Sequence, residues 1–107
     1  MEDKVFFQDH LFKELPVDKY DNPMVNINIV PPHIKPDCIL VSLDTLFRLN
    51  TDKEWERLIS NISNKSVCIV DDVPINNKEV KPYKEFYLKA YYFYLSKYCK
   101  TCYVDKL

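Results

Sequence analysis

Two apolar runs with a capped helix pattern between them constrain this chain more than any other feature. DCILVSL at 37–43 and SVCIV at 66–70 are nearly unbroken in apolar side chains. That is the pattern of strands covered on both faces. Between them Thr51 stands where a helix N-cap is needed, and Glu54 completes a capping box. Trp55, Leu58, Ile59 and Ile62 follow at helical spacing. An amphipathic helix is expected over 51–63. A strand, a helix and a second strand in this order favour parallel pairing through a right-handed crossover. DTLFRLN at 44–50 is expected to leave the first strand as a short helical turn.

The remaining elements fit around this unit. MVNINIV at 24–30 alternates, with Val25, Ile27 and Ile29 on one side and Asn26 and Asn28 on the other, as in a half-exposed strand near a sheet edge. PPHIKP at 31–36 interrupts regular structure, because proline supplies no ladder donor. TCYVDK at 101–106 has strand composition. Before it, a long aromatic-rich helix is expected over 78–98, with Pro82 tolerated in its first turn. Near the N-terminus, Val5, Phe6, Leu11, Phe12 and Leu15 share one side of a short helical stretch that Pro16 ends, and 16–24 reads as loop. The expected architecture is one α/β domain over 1–107, with a small three- to four-stranded sheet, one short amphipathic helix and one long aromatic helix. A chain of 107 residues supports one modest core.

Glycine is absent. Phosphate-cradling loops, dinucleotide fingerprints and nucleophile elbows use glycine to reach positive φ or to bring backbone against a ligand. Those motifs are therefore excluded in recognisable form, and the turns fall to seven Pro and eight Asn. The net charge of -1 gives no overall field for nucleic acid or membrane. It hides an asymmetry, since residues 1–56 carry 6 Lys+Arg against 11 Asp+Glu and residues 57–107 carry 9 against 5. Lys outnumbers Arg thirteen to two, which reads as translation of an AT-rich genome such as that of a virus, phage, parasite or low-GC bacterium. The acidic opening MEDKVFFQDHLFKEL lacks the apolar core of a signal peptide, and no apolar run approaches a membrane span. An intracellular place, in the cytoplasm or nucleus of the producing or host cell, is expected, with the four cysteines as free thiols.

Three constellations are candidates for chemistry. Cys99-x-x-Cys102 supplies two of the four ligands of a structural zinc, but Cys38, Cys68, His10 and His33 form no second knuckle. A redox pair belongs at a helix N-terminus, whereas this one follows a helix C-terminus, whose dipole disfavours thiolate. Packing thiols are the preferred reading, and no cofactor is expected. The second constellation is Asp44 with Asp71 and Asp72. If the two apolar strands are parallel neighbours, all three follow strand C-terminal ends, where open α/β sheets place ligands and where carboxylates can hold Mg²⁺. ILVSLDT and CIVDD resemble the strand-end motifs of haloacid-dehalogenase-type phosphatases over about a dozen residues. The resemblance implies a metal-dependent phosphatase or nuclease. Ser42, however, stands in the place of that family's nucleophilic aspartate, and the glycine after its second aspartate is missing. The alternative is that Asp44 caps the turn after it and that Asp71 and Asp72 form an Asx turn before Pro74.

The third is the aromatic helix, where the stretch from Tyr83 to Tyr98 holds eight aromatic residues in sixteen positions. On a helical wheel its apolar arc is too wide for contact with one sheet, and Phe86 and Phe93 interrupt the polar side. A dry core favours Phe and Leu, because a buried tyrosine hydroxyl needs a partner, whereas interfaces favour Tyr. Tyr83, Phe86, Tyr87, Phe93 and Tyr94 are therefore the candidate partner-binding residues. The expected function is a small non-enzymatic binding protein of accessory or inhibitor type, with another protein as partner and a homodimer through this helix as the expected self-association. Single-stranded nucleic acid is a further alternative, because lysines interleave with rings that bases stack on. The helix contains no Arg and the chain no recognition motif, which argues against it.

Overall fold

The structure, a computed structural model, describes residues 13–49, 51–73 and 84–106. Three strands form its sheet: β1 (Ile39–Ser42), β2 (Ser66–Asp71) and β3 (Thr101–Lys106), in spatial order β1-β2-β3. Both pairings are parallel, and for β1 with β2 this is what the two apolar runs and their intervening helix lead one to expect. The register places Ile39 beside Val67 beside Cys102, and Val41 beside Ile69 beside Val104. Because side chains alternate along a strand, these two rows share one face. Val67, Ile69 and Val104 on it are fully buried, each stabilising the fold by roughly 1.5–3 kcal/mol.

Helix α1 (Leu43–Arg48) follows β1 directly, and α2 (Asp52–Ile62) fills most of the remaining crossover to β2. The capping box of α2 holds, with Glu54 N–H donating to Thr51 Oγ1 at 3.2 Å and with Trp55 and Ile62 buried. The cap of α1 differs from expectation. Ser42 takes that role, its Oγ accepting from Thr45 N–H at 3.3 Å, while Asp44 lies inside the first turn. Helix α3 (Lys84–Leu95) leads through turns at 96–98 to β3, and the expected start of the aromatic helix lies outside the described residues. The progression β1 to β2 to β3 moves in one direction across the sheet. Right-handed crossovers then place all three helices on one face. Ring contacts agree, with Trp55 and Tyr91 centroids 5.7 Å apart and Phe47 and Tyr91 also 5.7 Å apart.

Residues 25–30 run beside β3 in the fourth position of the sheet. Ile29 bridges Val104 in parallel, and Asn28 O accepts from Val104 N–H at 2.8 Å. The pairing stays a single bridge because Pro31 and Pro32 follow at once without N–H groups to extend it. Val25 and Ile27 pack on the core, while Ile29 remains 63% exposed at the flank. The chain then crosses the second face of the sheet through a 3-10 turn at Lys35–Asp37, and Lys35 Nζ meets Asp105 Oδ2 at 2.5 Å. Moving the opposite way on the opposite face, this crossing has the same hand as the helical ones. It covers Cys68, which is fully buried, but leaves Leu40 on the outer strand 58% exposed.

Two residues show how the chain turns without glycine. Asp21 and Asn64 hold positive φ, at 65° and 61°. Both are residue types that tolerate the left-handed region. Asn64 follows the α2 C-cap, where glycine is the usual choice, and lets Lys65 N–H reach back to Ile62 O at 3.0 Å. Of residues 1–15, only Lys13, Glu14 and Leu15 fall among those described, and Leu15 is buried.

Candidate functional site

Parallel pairing brings the C-terminal ends of β1 and β2 to one edge, and with them Ser42, Asp44, Asp71 and Asp72. Here the backbone does what the sequence pattern implies, but the side chains are turned to structural work. Ser42 Oγ donates to Asp72 Oδ2 at 2.5 Å, and Asp44 N–H donates to Asp72 Oδ1 at 3.1 Å. Asp72 thus reaches from the end of β2 to satisfy the start of α1. Burial pushes its carboxyl up, but the hydrogen bonds from Ser42 and Asp44 outweigh this and hold it below the usual carboxylate range. Asp44 accepts from Arg48 Nε at 3.0 Å, one helical turn on. Asp71, whose side chain is only 8% exposed, pairs with Lys84 Nζ at 3.2 Å and so ties β2 to the start of α3. Among the described residues no group of three or more His, Cys, Asp or Glu side chains is arranged to hold a metal ion.

Arg48 and Lys84 are the members of this edge that sequence reasoning did not assign to it, whereas Ser42 was placed there only as the residue standing for a nucleophilic aspartate and serves instead as a hydrogen-bond donor to Asp72. Arg48 was open to detection, because it stands four residues after Asp44 on a short helix. Lys84 gave no such signal, since it stands thirteen residues after Asp71 and in a different element.

The cysteines are all free thiols. Cys102 is buried on the helix-covered face of β3, and its thiol donates a hydrogen bond to half-buried Cys99. Burial pushes the Cys102 thiol far up, and it also raises that of Cys99. Cys68 lies on the second face, where burial first and the Asp105 charge second push it up to about 11. Thiols held protonated in this way are poor nucleophiles and poor metal ligands.

The aromatic helix resolves into two unequal sides. Leu88, Tyr91, Tyr92, Tyr94 and Leu95 are buried. Tyr91 packs against Phe47 and Trp55. Tyr94 meets Trp55 edge-on at 5.7 Å, and its hydroxyl is hydrogen-bonded to that of Tyr98. Burial raises the Tyr94 hydroxyl well above the ordinary tyrosine range, with the Tyr98 bond and then the Glu14 and Asp52 charges adding to it. Tyr92 points the other way, and a hydrogen bond joins its hydroxyl to the Asn28 backbone. The wide apolar arc is therefore filled from three directions: the sheet beneath, α1 and α2 on one flank, and residues 25–30 on the other.

Of the residues marked for partner binding, Tyr94 belongs to this core. Tyr87 is half-buried against Phe47 and Tyr91, with centroids at 5.2 and 6.1 Å. Tyr83 lies outside the described residues. Phe86 and Phe93 are half-buried on the outer side of α3, and Lys97 Nζ stands over the Phe93 ring at 5.0 Å. Tyr98, just past the helix, is 40% exposed. No family model, curated protein sequence or solved structure matches this chain.

Proposed function

We propose that this chain is a small non-enzymatic protein-binding module of accessory or inhibitor type that meets its partner through the outer side of α3. One observation carries the reading. Within a helix whose tyrosines are largely drawn into the core, Phe86 and Phe93 keep part of their rings on the outer side, seven residues apart and so on one stripe. Half-exposed aromatic rings of this kind form the centres of protein interfaces more often than do aliphatic side chains. The free thiols suit a reducing compartment of the producing or host cell. A second copy of the chain is the first partner to consider, and another protein the next.

The test compares wild type with the Phe86→Ser, Phe93→Ser double variant in sedimentation and in affinity capture from the native cell. The reading expects a specific association, with itself or with one other protein, that the double variant loses while still melting cooperatively. A monomeric wild type whose captured proteins are unchanged in the variant overturns it.

The strand-end aspartates support a second reading, metal-dependent phosphoryl chemistry, through their shared position at the edge where α/β sheets bind ligands. Their engagement with Ser42, Arg48 and Lys84 weighs against it, since a metal would have to displace those partners. Calorimetric titration with Mg²⁺ and Mn²⁺ decides the matter: binding heat lost in Asp71→Asn with Asp72→Asn supports this reading, and absence of heat in wild type removes it.

A further inference from the structure

We infer that Cys99 and Cys102 close into a reversible disulfide when the chain meets a peroxide, which makes the turn between α3 and β3 a site of redox modification. The inference goes beyond the protein-binding reading above and does not depend on it. Among the described residues Cys99 and Cys102 are the two free thiols that a hydrogen bond joins. Cys38 is half-buried and Cys68 fully buried on the second face, and no such bond joins them. The fold holds the bonded pair from both sides. Cys99 N–H donates to Leu95 O at 3.2 Å, which ties Cys99 to the last residue of α3. Lys100 N–H donates to Lys65 O at 2.9 Å, and Cys102 stands beside Val67 in the sheet. With both backbones fixed and the sulfurs already in contact, closure falls to side-chain rotation.

The two thiols differ in a way that orders the steps. Cys99 is half-buried, and the hydrogen bond from Cys102 favours its thiolate against the rise that burial imposes. Cys102 is buried and held protonated. Cys99 Sγ, as thiolate, attacks one peroxide oxygen. The O–O bond breaks, and the hydroxide that leaves takes up the proton Cys99 released, as water. Cys102 Sγ then attacks the sulfur of the Cys99 sulfenic acid. The S–S bond forms as the S–O bond breaks, and the second hydroxide leaves with the Cys102 proton as water. The two thiols together lose two electrons, which one peroxide gains. A dithiol reductant reverses the change by thiol–disulfide exchange. Burial of both thiols makes the oxidation slow, so the pair records accumulated peroxide and is no turnover catalyst.

The test treats the reduced full chain with hydrogen peroxide, blocks the remaining thiols with N-ethylmaleimide and maps tryptic peptides by mass. Trypsin cuts after Lys97, Lys100 and Lys106, so the disulfide links residues 98–100 to residues 101–106. The expected product is that linked pair, returned to two alkylated thiols by dithiothreitol, with Cys38 and Cys68 alkylated throughout. In Cys102→Ser, Cys99 should stop at the sulfenic acid and be trapped by dimedone. In a glutathione redox buffer the closure constant should be about tenfold or more higher for the folded chain than in urea, because the fold has already brought the sulfurs together. Oxidation of Cys38 ahead of the pair, or an intermolecular disulfide through Cys99, overturns the inference. So does an equal closure constant in urea, or a Cys99 in Cys102→Ser that dimedone never traps.

Discussion

Ser42 and Asp72 show how the strand-end carboxylates are taken up in structural bonds, although one oxygen of Asp71 is buried without a hydrogen-bond partner. The Asp72 carboxylate accepts from the Ser42 hydroxyl and the Asp44 N–H, which holds its folded pKa below the ordinary value. A carboxyl depressed in this way adds stability above its unfolded pKa, near 3.9, and loses it as pH falls through the folded value. Chemical denaturation at pH 7 and pH 3 should therefore show a loss of stability on acidification, and Asp72→Asn should lose less. Cys68 and Cys102 give the opposite limb. Their folded pKa values are raised, so between the ordinary thiol value near 8.5 and the folded value the unfolded chain ionises first. Stability must then fall as pH rises from about 8.5. Denaturant midpoints at pH 7.5 and pH 10 should separate in wild type and draw together in Cys68→Ala with Cys102→Ala.

The helices differ in how much of their form can be read locally. Helix α2 carries its own start signal, and its Thr51 cap and buried Trp55 stand where the spacing places them. Thr51→Ala should cost about 1 kcal/mol in denaturant unfolding, the usual worth of an N-cap oxygen. Helix α3 is different. The wheel correctly shows an arc too wide for one sheet, but an arc alone does not say what fills it. Two of the fillers, Phe47 on α1 and the Asn28 backbone beside Tyr92, come from segments whose positions are set by sheet order. Tyrosines that look suited to an interface thus have their hydroxyl partners inside the fold. Phe86 and Phe93 were marked by breaking the polar stripe, and their partial exposure matches that local signal.

For the whole molecule, the parallel sheet was legible because two apolar runs and one capped helix leave few topologies open. The edge shared by Asp44, Asp71 and Asp72 followed from the same argument. The engagement of those carboxylates did not, because Lys84 reaches Asp71 only through the tertiary path of the chain. The absence of glycine was legible as a demand on the turns, and Asp21 and Asn64 meet it with positive φ. The central claim is that α3 divides into a buried tyrosine side and an outer phenylalanine side. Its most direct test is the unfolding free energy of Tyr91→Ala against that of Phe93→Ser. The account predicts a loss of roughly 3–5 kcal/mol for Tyr91→Ala and about 1 kcal/mol or less for Phe93→Ser. Equal losses, or a larger one at Phe93, would contradict it.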